Sequence, residues 1–175
     1  MLLALALGWW LEVAPFGRLR WTWGGLAGGI AATAPLLLGL AWCLRTTWPP
    51  AVRLVQIVER RIAPLFAGAG PAAIVLVAVL AGIGEEVLFR GVVQPALGRH
   101  LPLAAAVALT AALFGVAHWI TPAYALLAGL VGIYLGLLLA WSGNLLIPIV
   151  AHALYDVVAL TLLVRVKPAP TSSVL

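Results

Sequence analysis

The chain has 175 residues, 65% hydrophobic and 9% charged, with a formal net charge of +5 and a mean hydropathy of +1.16. Ordinary soluble domains carry about 25% charged residues, so the composition excludes that class and indicates an all-α, polytopic transmembrane bundle in one domain. A single cysteine, Cys43, excludes a disulfide framework within the chain. No basic run is interleaved with aromatics, which excludes nucleic acid as a partner and leaves the lipid bilayer as the counterpart of the arginines.

At about 20 residues per span, the chain has room for five to seven spans, and its pattern predicts about six. Leu2 to Leu11 is apolar but short unless it extends to Phe16, and it lacks the basic stretch and cleavage site of a removable signal. It is either a first helix or the end of a span that begins upstream. A second span is expected over about Leu26 to Leu44. Pro49-Pro50 then changes the character of the chain. The segment that follows carries Arg53, Glu59, Arg60 and Arg61 among Val52, Val55, Ile57, Val58, Ile62 and Leu65, and reads as an amphipathic helix lying in the interface.

A third helix is predicted to run unbroken from Ala72 to Leu97, and a fourth from Leu103 to Trp119, stopped by Thr121-Pro122. A fifth covers about Tyr124 to Trp141, with Gly129, Gly132 and Gly136 as a close-packing stripe. A sixth covers about Leu146 to Val164 and precedes a polar tail. The division is 1–48 as an N-terminal transmembrane hairpin, 49–70 as the interfacial segment, 71–166 as a four-helix transmembrane core and 167–175 as the tail. Trp21, Trp23, Trp42, Trp48, Trp119 and Trp141 fall at predicted helix ends, as interfacial aromatics do.

Arg45, Arg53, Arg60, Arg61, Arg165 and Lys167 fall on one side, against Arg18, Arg20 and Arg99 on the other. The positive-inside rule then puts both termini in the cytoplasm, in a multi-pass protein of the cell membrane.

Glu85, Glu86 and Arg90 interrupt the third helix, although the chain has only five acidic residues. An ionisable group near a bilayer centre costs roughly 2.5 kcal/mol or more and usually faces protein or a wet cavity. Glu86 and Arg90, four apart, share a face and can pair. Glu85 is turned by about 100° and is left free to hold a water. Phe114 and His118 stand four apart on the fourth helix, His152 and Asp156 on the sixth. Asp156 can accept from one nitrogen of His152 and fix the tautomer that the other presents.

Taken in order, these three constellations resemble the CAAX-protease and bacteriocin-processing family of intramembrane proteases, the glutamate-dependent or ABI family. Its motifs are two Glu, three residues and Arg; Phe, three residues and His; and His, three residues and Asn or Asp. Glu85, Glu86 and Arg90 match the first, Phe114 and His118 the second, His152 and Asp156 the third. Gly91 after the arginine and Ser142-Gly143-Asn144-Leu145 before the third motif fit as well, and the resemblance covers about residues 70–165.

The resemblance implies an endopeptidase acting on a membrane-associated or lipidated protein or peptide, with the core 71–166 catalytic. Glu85 and His118 would activate water, His152 and Asp156 would face the oxyanion, and Glu86 with Arg90 would brace the site. Asp in place of the commoner Asn matters, because an ionised Asp156 cannot donate a hydrogen bond, leaving His152 as the oxyanion donor.

The resemblance implies no cofactor. Zinc held by Glu85, His118 and His152 is the competing chemistry, although no His-Glu-x-x-His helix is present. Two other classes stay open: a non-catalytic membrane adaptor or immunity-type protein, and a proton-coupled transporter using Glu, His and Asp as a relay. Depth poses a problem for all of these readings. At 1.5 Å per residue, Glu85 lies about 20 Å into its helix and His152 only about 9 Å into its own. Convergence requires tilted or shortened helices around a wet cavity.

Overall fold

The structure, a computed structural model, describes residues 1–66 and 68–165. The expected tail 167–175, residue 166 at the end of the expected core, and with them Lys167, lie outside the described residues. Every regular element among the described residues is helical. In chain order these are α1 (Leu2–Trp10), α2 (Trp23–Arg45) and α3 (Pro49–Arg61), then a 3₁₀ turn at Ala63–Phe66. They continue with α4 (Pro71–Glu86), a π-helical stretch (Val87–Val93), α5 (Gln94–Leu97), α6 (Leu103–Ala117), α7 (Pro122–Ser142) and α8 (Leu146–Arg165).

Among the described residues, four helices are long and apolar enough to cross a bilayer: Trp23–Arg45, Pro71–Leu97, Pro122–Ser142 and Leu146–Leu163. Helix α6 is apolar but has only 15 residues, and α1 has 9. The expectation of about six spans is therefore met for four helices. The expected interfacial segment does contain a helix, α3, whose Pro49 and Pro50 occupy its first turn, where the missing N–H groups have no intrahelical partner to lose.

The third predicted helix is continuous in direction but not in winding. Between Val87 and Val93 it widens to π turns, a local form that is rare and concentrated at functional sites. The residues of this stretch are packed from several sides: Val87, Phe89, Arg90, Gly91 and Val92 are all buried. Gly91 is glycine for a steric reason. The Pro15 carbonyl occupies the place a Cβ would take.

Helix α8 forms the axis of the bundle, packing on α2 along one side and on α4 along another, while α6 packs on α7. Gly25 lies beside Leu146 and Gly29 beside Val150, so α2 and α8 run the same way. Gly82 meets Ala153 and Glu86 meets His152. Asn144 ties the layers together at one end. Its Oδ1 accepts from the N–H groups of Arg20 and Leu146, at 3.0 and 3.1 Å, and its Nδ2 donates to the Arg20 carbonyl at 2.9 Å. The same side chain thus caps the start of α8 and pins the segment leading into α2.

The tryptophans expected at helix ends are all exposed, Trp21, Trp23, Trp42, Trp48, Trp119 and Trp141 alike. Cys43 is half-buried on the wall of the main cavity.

Candidate active site

The depths are matched by where α8 begins: Leu145, just before it, meets Gly91 of the Pro71–Leu97 rod, and Ala153 meets Gly82, which brings His152 level with Glu86. Helix α6 stops at Ala117, and His118 turns off its end with φ −98° and ψ 25°. Glu85 is the fifteenth residue of the 27-residue rod Pro71–Leu97, and the two side chains meet. Glu85 Oε2 lies 3.4 Å from His118 Nε2 and 4.0 Å from His152 Nε2. Asp156 Oδ2 lies 3.5 Å from the same His152 nitrogen. All six predicted site residues are gathered in one cluster.

The two adjacent glutamates have different surroundings. Glu86 and Arg90 are completely buried and paired at 2.8 Å from Arg90 Nη1 to Glu86 Oε1. That oxygen also accepts from His152 Nδ1 at 2.8 Å. Arg90 Nη2 donates to the carbonyl of Gly132 at 2.8 Å, where the absence of a side chain lets the guanidinium reach the backbone of α7. Glu85 is one-third exposed and points to the cavity.

Hydrogen-bond partners fix the proton positions on both imidazoles. A carbonyl can only accept, so His118 Nδ1, 2.8 Å from the Phe114 carbonyl, carries a proton. Glu86, ionised against Arg90, likewise requires a proton on His152 Nδ1. The arrangement differs here from the sequence reading, which had Asp156 fix the His152 tautomer. Glu86 holds Nδ1, and Asp156 stands beside Nε2. Both Nε2 atoms face Glu85, and among the described residues buried Glu85 Oε2 has no hydrogen-bond donor.

Phe114 binds the cluster together. Its ring lies 4.6 Å from the Arg90 guanidinium carbon and 4.3 Å, centroid to centroid, from the His118 imidazole. It also meets Phe89 and His152 edge-on, at 5.0 and 6.0 Å. Gln94, one turn beyond Arg90, is buried and donates to the Gly136 carbonyl at 3.1 Å. The glycine stripe read as packing thus also exposes backbone acceptors. Its spacing of four from Gly132 to Gly136 matches that of Arg90 to Gln94, a signal present in the sequence that neither segment reveals alone.

Glu85, His118, His152 and Asp156 line a cavity of about 630 Å³ whose remaining walls are mostly apolar. They come from α2 (Leu36, Leu40), α3 (Leu54, Val55, Val58), α7 (Leu127, Ala128, Val131) and α8 (Ala159, Leu160). Tyr124 and Tyr155 also face it. Among the described residues no three His, Cys, Asp or Glu side chains form a group suited to hold a metal ion.

The family model described as Type II CAAX prenyl endopeptidase Rce1-like matches residues 67–158. The chain belongs to the Rce1-like family. The matched stretch begins just before α4 and ends two residues past Asp156, so it contains the whole cluster. No curated protein and no solved structure matches the chain. Rce1-like membership and four apolar helices together make this a membrane protein of a protease family.

Proposed function

We propose that this Rce1-like protein is an intramembrane endopeptidase that hydrolyses a peptide bond in a membrane-associated or lipidated substrate, using a water held between Glu85 and His118. The observation that carries this reading is the unpartnered Glu85 Oε2, 3.4 Å from an imidazole nitrogen that has no proton in the neutral ring. Two acceptors facing one another call for a molecule with two hydrogens to give. A water bound there donates to both and keeps its lone pairs free for a carbonyl carbon.

As the water attacks, its proton passes to Glu85 or His118 and a C–O bond forms, placing negative charge on the carbonyl oxygen. His152 donates from Nε2 to that oxygen when its ring carries both protons, and it has a carboxylate against each nitrogen. The proton then moves to the leaving nitrogen as the C–N bond breaks. Asp156 acts on His152 rather than on the oxyanion, because a carboxylate cannot donate. Glu86 and Arg90 hold His152 in place. An apolar cavity walled by transmembrane helices suits lateral entry of substrate from the bilayer, and the protein sits in the cell membrane with both termini in the cytoplasm.

The test is cleavage of membrane-anchored peptides by the purified protein in liposomes, compared with Glu85→Ala, each with and without a chelator. Cleavage by the wild type alone, unaffected by the chelator, is expected. Equal cleavage by both forms rejects the mechanism, and loss with the chelator supports zinc held by Glu85, His118 and His152. Proton flux through the same liposomes without cleavage favours a transporter.

A further inference from the structure

Helix α3 has two faces with different tasks. Leu54, Val55 and Val58, followed by Ile62, line the cavity that holds the candidate active site. Arg53 and Arg60 are exposed; seven residues apart, they stand about two turns apart on one face, with exposed Arg61 flanking it. Arg45, at the end of α2, is exposed nearby in sequence. Glu59 is the one acidic residue of the helix, and among the described residues no carboxylate lies in ion-pair reach of Arg53, Arg60 or Arg61.

Trp42 and Trp48, at the junction of α2 and α3, are exposed with ring centroids 5.9 Å apart. Aromatic pairs of this kind mark the headgroup level of a bilayer, and guanidinium groups match phosphate geometry. We propose that the basic face of α3 binds anionic phospholipid headgroups, and that this contact holds the helix against the cavity it walls. The bilayer then sets how open the route to the site is. A neutral bilayer leaves α3 to its packing on α2, α7, α8 and the 3₁₀ turn.

Cys43 reports on this directly, being the only cysteine and lining the same cavity. The protein is reconstituted in phosphatidylcholine vesicles with and without phosphatidylglycerol, and alkylation of Cys43 by a membrane-permeant maleimide is timed. Phosphatidylglycerol slows alkylation several-fold in the wild type. The R53Q/R60Q/R61Q variant alkylates at one rate in both bilayers, whereas Arg18→Gln, at an exposed position remote in sequence, keeps the full lipid effect. Identical wild-type rates in the two bilayers overturn the proposal, as does a triple variant that still responds or an Arg18→Gln form that does not. Slowing by inorganic phosphate in neutral vesicles overturns it too, since the surface would then read free phosphate. Alkylation needs no substrate, so this proposal and the proteolytic reading can fail separately.

Discussion

Glu85 and Glu86 are neighbours in sequence, yet their replacement should separate function from stability. Glu85 reaches the cavity, and Glu85→Gln removes a proton acceptor without uncovering a buried charge. Cleavage should fall by about 10²–10⁴-fold, the usual contribution of a general base, with the melting temperature in detergent unchanged. Glu86 is fully buried between Arg90 and His152. Glu86→Ala strands a buried guanidinium, and breaking such a pair costs about 3–5 kcal/mol, read as a large drop in the melting temperature. Phe114 lies between these cases. Phe114→Leu keeps the carbonyl that holds His118 but removes the ring from Arg90 and His118, contacts worth ~1 kcal/mol each. The expected result is a kcat lower by about 30-fold, by the energy–rate relation, at little-changed KM.

At the scale of elements, the site depends on how closely α4 approaches α8. A Cβ on Gly82 would stand 2.9 Å from the Ala153 backbone nitrogen, beside His152. Gly82→Ala must push the helices apart, and overpacking of this kind costs about 1–3 kcal/mol. It also draws His152 away from Glu85 and Glu86, so activity should fall further than the melting temperature suggests. Gly24→Ala is the matched control: nothing lies within 4 Å of its added methyl, and Ala is the better helix former by roughly 0.5–1 kcal/mol. Its melting temperature should hold or rise slightly, with cleavage unaltered. The length of α6 acts at this scale as well, because two more helical turns would carry His118 past the level of Glu85.

At the scale of the whole molecule, the cavity and the cluster are parts of one arrangement, and on the proteolytic reading the first would admit substrate to the second. Ala128→Trp, on the cavity wall contributed by α7, fills space that a substrate would occupy; KM should rise while kcat is retained, in a titration of the cleaved peptide. The chain alone determined its class, most helix positions and the residues of the cluster. Apolar runs broken by proline, and charges in a greasy stretch, are local features whose energetic cost is the same wherever the chain goes. Tertiary structure decided the partners. That Glu86 and not Asp156 holds His152 Nδ1, that the π turns seat Arg90 against Gly132, and that α6 stops where His118 is needed all depend on distances between separate helices. No spacing along a single helix encodes those distances, because helix separation and depth are set by packing all the helices together.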